Sequence, residues 1–206
     1  MINLNKNKMI YDTQEKRAVF IDRDGVICFD KDLMYKKEDL ELVSRAGEAI
    51  KLLNDSGYLT IVITNQPVVA RGLCTITELE DMNRHLEKIL QQHGAKLDKI
   101  YCCQHHPNPK GKIGENGVNK EYAVDCKCRK PKPGMILQAQ KDFNILNLSE
   151  CYMIGDSISD IKAGHDAGCK TILIKTGKED PYQDAVPDFT TTDLYNAVKD
   201  IVLKRV

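Results

Sequence analysis

The sequence predicts an α/β protein with three layers, a central parallel sheet covered by helices on both faces. Two features lead there. Short apolar, partly β-branched segments recur along the chain, as expected of strands buried on both sides. Segments with helical apolar spacing alternate with them, which requires right-handed crossovers between parallel strands. The length of 206 residues suits one compact domain with a single sizeable core.

The strand candidates are Ala18–Ile21, Thr60–Thr64, Lys99–Cys103, Cys151–Ile154 and Thr171–Ile174. A helix over Ala46–Asp55 places Ala46, Ala49, Ile50 and Leu53 on one face. A second, Thr77–His93, does the same with Leu79, Met82, Leu86, Ile89 and Leu90, and Thr77 with Glu80 reads as its capping box. Shorter helices are expected over Gly134–Phe143 and Ile158–Ala167, and Asp193–Leu203 closes the chain. Residues 1–16 are polar and lack the apolar core of a signal peptide, so they read as an extension ahead of a domain spanning 17–206. No apolar run is long enough to span a membrane. Thirty basic residues balance thirty acidic ones, which argues against a nucleic-acid partner. A cytoplasmic monomer is the expectation.

In such sheets ligands sit at the carboxyl ends of the strands. Asp22, Thr64, His105 and Asp156 all fall at or just past a strand end. In Phe20–Ile21–Asp22–Arg23–Asp24–Gly25, two carboxylates two residues apart could share a hard cation such as Mg²⁺, and the glycine allows a sharp turn. Ile154–Gly155–Asp156–Ser157–Ile158–Ser159–Asp160 ends a strand in acid and places another acid at a helix start. Thr64 and Asn65 offer a hydroxyl and an amide to a phosphoryl oxygen. Arg129–Lys130–Pro131–Lys132–Pro133–Gly134 puts cations ahead of a helix N-terminus, a favourable place for an anion. Each motif alone could be a polar turn, a helix cap or a solvated charge run.

Together, in this order, the motifs resemble those of the haloacid dehalogenase superfamily from about Ala18 to about Ile174. The resemblance implies a Rossmann-like sandwich and a phosphatase that works through a phospho-aspartate. Asp22 would be the nucleophile and Asp24 the general acid and base. Asp22 and Asp156 would give carboxylate oxygens to Mg²⁺, and Asp24 its backbone carbonyl. Thr64 would hold the transferring phosphoryl group, Lys130 would neutralise Asp22 and phosphate, and Asp160 would stand behind the metal ligands.

The eight cysteines fall into two kinds. Cys28, Cys74, Cys151 and Cys169 stand alone and read as small hydrophobes. Cys102, Cys103, Cys126 and Cys128 cluster beside histidines. Cys103, His105, Cys126 and Cys128 have the spacing of a closed Cys₃His zinc site. Cys102 and His106 are rival ligands, although Cys102 should face the other side of its strand from Cys103. A disulfide is the weaker alternative in a reducing compartment. The bracketed segment 107–125 is polar and rich in Gly, Asn and Pro, so a zinc loop over 103–128 would give it an anchor.

The run C-x-H-H-P, followed by C-x-C-R-K-P-x-P-G-M from Cys126 to Met135, resembles the D-glycero-D-manno-heptose 1,7-bisphosphate 7-phosphatases and the related histidinol-phosphate phosphatases. That resemblance implies no large cap domain, a zinc loop acting as a small lid, and Arg129 at the phosphate end of the substrate. Two departures stand out: Pro67–Val68–Val69 replaces the usual Ser-Gly-Ile, and the stretch from His105 to Cys126 is long. Heptose bisphosphate, cleaved at the 7-position, is the expected substrate and histidinol phosphate the alternative. A second phosphate would need cations such as Arg71, Lys110, Lys112 or Lys120, and a cationic amino alcohol would need Glu115 or Glu121. A non-catalytic, zinc-organised binding module is the alternative of another class, although such a module need not keep Asp24.

Overall fold

The computed structural model describes residues 15–176 and 184–205, so residues 1–14 of the expected extension lie outside it. Six parallel strands form one sheet in the order β3-β2-β1-β4-β5-β6. They are β1 (Ala18–Ile21), β2 (Leu59–Asn65), β3 (Lys99–Cys103), β4 (Tyr152–Gly155), β5 (Lys170–Ile174) and β6 (Phe189–Thr191). The helices are α1 (Ala46–Asp55), α2 (Ile76–Gln92), α3 (Gly134–Phe143), α4 (Ile158–Ala167) and the short α5 (Leu194–Asn196).

Strand alternation divides the apolar side chains between two cores. Val19 and Ile21 of β1, Val62 of β2, and Tyr152 and Ile154 of β4 join the core formed with α1, α2 and the C-terminal helical segment. Ala18, Phe20, Ile61, Ile63 and Met153, on the opposite face, pack with Met135, Ile136 and Ala139 of α3 and Ala163 of α4. This is the three-layer arrangement expected from the sequence. Every residue of β1 is buried, which explains its unbroken apolar run. Among the described residues, no helix is long and apolar enough to cross a membrane.

Three local expectations are corrected. The second helix begins at Ile76, with Thr75 as its cap: Thr75 Oγ1 accepts from Glu78 N at 3.2 Å, and Glu78 Oε2 accepts from Thr75 N at 2.8 Å. The stretch Thr75–Ile76–Thr77–Glu78–Leu79–Glu80 contains two overlapping Thr-x-x-Glu frames. The earlier frame puts partly buried Ile76 at the first helical position, against the core. The closing helix is not uniform: α5 passes into a π-helical stretch, Ala197–Val202, and a 3₁₀ turn, Leu203–Arg205. Sequence reasoning missed β6, which is only three residues long and partly exposed. Asp188 just before it pins its start by accepting from Thr171 N and Oγ1, both at 2.8 Å.

Candidate active site and metal centre

The strand order reverses direction between β1 and β4, which opens a crevice at their carboxyl ends. Asp22 follows β1 directly, Asp156 follows β4, and Thr64 and Asn65 end β2. Asp22 N donates to Ile154 O at 2.9 Å, so the first acid is fixed to the neighbouring strand. The crevice has a volume of about 240 Å³, and its walls include Asp22, Asp24, Thr64, Asn65, Lys130 and Asp156. Four separate motifs of the sequence therefore meet in one place.

Gly25 is required twice. Its φ is +83°, and a Cβ there would stand 2.1 Å from Asp156 Oδ2. The tight turn after Asp24 is what lets the two acidic strand ends approach.

Lys130 crosses from the α3 side into the acids. Its Nζ lies 2.9 Å from Asp22 Oδ1 and 2.5 Å from Asp160 Oδ1, and it donates to Ile63 O at 2.9 Å. Burial opposes the ammonium charge, but Asp160 and Asp22 hold its pKa above the ordinary lysine value. Asn65 grips the backbone of the same residue. Its Oδ1 accepts from Lys130 N, and its Nδ2 donates to Lys130 O, both at 3.0 Å. Asn65 thus lines the crevice while its amide positions Lys130. Asp160 caps α4 with Oδ2, accepting from Ser157 N at 3.1 Å and Ser157 Oγ at 2.9 Å. Its other oxygen, Oδ1, is the one that faces Lys130.

Ligand oxygens of Asp22, Asp156 and Asp160 all lie within 4.8 Å of one another. Burial pushes the Asp22 carboxyl well above the usual carboxylate range. Lys130 opposes the rise, while Asp160, Asp24 and Asp156 add to it. This excess of negative charge in a buried crevice is what a hard divalent cation offsets, and the oxygen donor set matches Mg²⁺. Asp160 is also engaged by Lys130 and Ser157, and Asp22 and Asp156 are the other two carboxylates of this group.

A second donor cluster sits at the end of β3. Cys103 Sγ lies 3.5 Å from Cys126 Sγ and 3.2 Å from Cys128 Sγ, and Cys126 and Cys128 are 3.3 Å apart. His105 Nδ1 is 3.7 Å from Cys103 Sγ and 3.5 Å from Cys128 Sγ. A tetrahedral shell with Zn–S bonds of ~2.3 Å has edges of roughly 3.8 Å, so the donors fit zinc. Hydrogen bonding between Cys128 and Cys103 shifts the pair in opposite directions, with the Cys128 thiol below its ordinary pKa and the Cys103 thiol above it. The rivals are placed elsewhere: Cys102 Sγ accepts from Asn83 Nδ2 at 3.2 Å, and His106 Nδ1 accepts from Asn108 N at 3.2 Å. Cys128→Ser is expected to reduce zinc from about one ion per chain to near none, with Cys102→Ser retaining it; elemental analysis of the purified variants checks this.

Two residues expected at the substrate prove to have structural partners. Arg129 NH1 donates to His105 O at 3.2 Å and its N to Cys126 Sγ at 3.3 Å, which ties the cation next to Lys130 to the zinc cluster. Arg71 does not line the crevice; its NH1 donates to the carbonyls of Lys110 and Lys112. Nearby, Gly114 N donates to Arg71 O at 2.8 Å and Asn119 N to Ala70 O at 3.0 Å. At Gly72, φ is +64° and a Cβ would meet Gly117 O at 2.1 Å. The 107–125 segment therefore has an anchor besides the Cys/His cluster, on the stretch Ala70–Arg71–Gly72. Lys132 also turns away, to Asp125 and Cys126 O.

Sequence reasoning missed Arg23 and Gln66. Arg23 is buried and forks onto Asp24, with Nε 2.7 Å from Oδ1 and NH2 3.0 Å from Oδ2. Gln66 Nε2 donates to Asp24 Oδ2 at 2.7 Å and to Thr64 Oγ1 at 2.9 Å.

This fold and this pairing of acids with a buried lysine define a haloacid-dehalogenase-like hydrolase. Residues 127–201 match the family described as HAD-hyrolase-like. The D-glycero-beta-D-manno-heptose-1,7-bisphosphate 7-phosphatase of Haemophilus ducreyi is 39% identical over 165 residues, covering 79% of this chain and 85% of that protein. The D-glycero-D-manno-heptose-1,7-bisphosphate 7-phosphatase of Chlorobaculum tepidum is 33% identical over 201 residues, covering 92% and 96%. Among solved structures, the D,D-heptose 1.7-bisphosphate phosphatase from B. bronchiseptica, complexed with magnesium and phosphate, superposes with a TM-score of 0.76 at 25% identity, covering 92% of this chain and 99% of that one. Within the hydrolase class, the chain belongs to the heptose-1,7-bisphosphate 7-phosphatase family.

Proposed function

We propose that this chain is a phosphatase that removes the 7-phosphate of D-glycero-D-manno-heptose 1,7-bisphosphate through a phospho-aspartate on Asp22. The observation that carries the reading is the Asp22 carboxylate, held 2.9 Å from the buried Lys130 ammonium at the sheet's switch point. Relatives named for this substrate support the choice of sugar.

Magnesium, when bound by the Asp22 and Asp156 carboxylates and the Asp24 carbonyl, supplies Lewis-acid neutralisation of phosphate charge. The chain's own residues do the rest. Lys130 offsets negative charge on Asp22 and on the incoming phosphoryl group, so that the anions can approach. Thr64 and the crevice backbone orient the phosphoryl group. An oxygen of Asp22 forms a bond to phosphorus as the sugar alkoxide leaves with a proton from Asp24. Asp24 then takes a proton from water, which attacks phosphorus, releases inorganic phosphate and restores Asp22. Zinc at Cys103, His105, Cys126 and Cys128 is structural in this account and orders the 103–128 lid.

The reading places residues 17–206 in one catalytic domain that works as a cytoplasmic monomer. Eight unpaired cysteines suit a reducing compartment. Phosphate release should be compared for both anomers of heptose bisphosphate, histidinol phosphate and other sugar phosphates. The expected result is the highest kcat/KM on a heptose bisphosphate; a preference for histidinol phosphate would overturn the substrate assignment.

A further inference from the structure

We infer that Gln66 and Arg23 are positioning residues that fix the Asp24 carboxylate for proton transfer, and that Gln66 also sets the direction of the Thr64 hydroxyl. This rests on the proposed role of Asp24 and extends it to groups the catalytic motifs do not assign.

The hydrogen-bond inventory carries the inference. The amide atom 2.7 Å from Asp24 Oδ2 is the nitrogen of Gln66, because Oδ2 already accepts from Arg23 NH2 and stays an acceptor whether or not Oδ1 carries the proton. That nitrogen has two hydrogens, and the second partner in reach is Thr64 Oγ1 at 2.9 Å. Thr64 Oγ1 therefore accepts from Gln66, and its own hydrogen points elsewhere. Thr64 lines the crevice, so the hydroxyl is free to donate to a phosphoryl oxygen there.

On Asp24, Oδ2 accepts from Arg23 NH2 and Gln66 Nε2, while among the described residues Oδ1 accepts only from Arg23 Nε. A carboxylate has about four acceptor positions. The one left open is on Oδ1, and that oxygen exchanges the proton with leaving group and water. The clamp is rigid. Arg23 is fully buried, Gln66 is nearly so, and the Asp24 side chain keeps 22% of its surface exposed. The bidentate fork holds the plane of the carboxylate, which a lysine could not do. Gln66 is itself fixed through its backbone N, which donates to Cys103 O at 2.7 Å. One residue thus joins the end of β3, where the zinc cluster begins, to both Asp24 and Thr64.

The test is Gln66→Met, which keeps the side chain's length and the backbone bond to Cys103 but removes both donors. It should be assayed for leaving-group release in the first turnover, before the aspartyl phosphate is hydrolysed, on an alkyl phosphate and on p-nitrophenyl phosphate. An alkoxide needs a proton as it leaves, whereas p-nitrophenolate does not, so loss of Asp24 positioning falls unequally on the two. The expected result is a ~10²-fold loss in the first-turnover rate on the alkyl phosphate and a several-fold smaller loss on p-nitrophenyl phosphate. In an Asp24→Asn background, Gln66→Met should add little to the alkyl-phosphate defect. Unchanged zinc content and Tm exclude a folding defect. Equal losses on both substrates, full additivity with Asp24→Asn, or no loss at all would overturn the inference. Failure of the underlying phosphatase reading would look different, because the unmodified protein would then release phosphate from neither compound.

Discussion

Asp22→Asn is expected to lower kcat by more than ~10²-fold on every phosphate monoester while leaving the fold intact, because an amide is a poor nucleophile. The fold is safe for a physical reason. Asp22 is an acid whose buried environment disfavours its ionised form before a cation arrives. Replacing it with a neutral isostere removes that tension, so the metal-free Tm should hold steady or rise, as happens where catalytic groups are kept at the expense of stability. Asn at this position still accepts from Arg23 N, which lies 2.7 Å from Asp22 Oδ1. Residual activity above about a hundredth of wild type would remove Asp22 from the nucleophile's role.

Lys130→Met should be the most damaging single change, because it affects catalysis and stability together. The ammonium is buried between Asp22 and Asp160. Truncating it leaves two buried carboxylates facing each other without a counter-charge. Breaking a buried ion pair from one side typically costs ~3–5 kcal/mol. For a chain of this size that corresponds to a Tm fall on the order of 10 °C, measured without magnesium so that a cation does not mask the loss. Activity should be undetectable, since the ammonium that offsets charge on both Asp22 and the phosphate is then gone. Adding Asp160→Asn should restore part of the Tm and none of the activity. The amide oxygen can still accept from Ser157 while one buried charge is gone. A Tm for Lys130→Met within about 2 °C of wild type would show that the pair contributes little.

Much of this site was legible in the chain because its motifs are local. Asp22, Thr64 and Asp156 each follow an apolar strand within one or two residues, and parallel topology brings all such ends to one edge. The Cys/His cluster that could hold zinc was legible for the same reason, as two short pairs of soft donors. What escaped was settled by long-range partners or by competition between similar local signals. Gln66 looks like any loop glutamine until Asp24 and Cys103 are placed beside it. Arg23 reads as a solvated charge inside a polar turn, yet it is fully buried. Arg71 was expected at the substrate on charge alone, and only the docked 107–125 segment reveals its carbonyl partners. The start of α2 was missed because two Thr-x-x-Glu frames overlap and burial of Ile76 decides between them. The three residues of β6 carry too little apolar pattern to announce a strand.

The central claim is that phosphate passes through a covalent bond to Asp22, and trapping that bond tests it most directly. In Asp24→Asn the base needed for the second step is impaired, while p-nitrophenyl phosphate can still complete the first step without a general acid. Acid-quenched Asp24→Asn protein, taken during turnover of p-nitrophenyl phosphate with magnesium, should therefore carry phosphate, and peptide mass spectrometry should locate it on Asp22. No covalent phosphate during measurable turnover, or phosphate on another residue, would contradict the account.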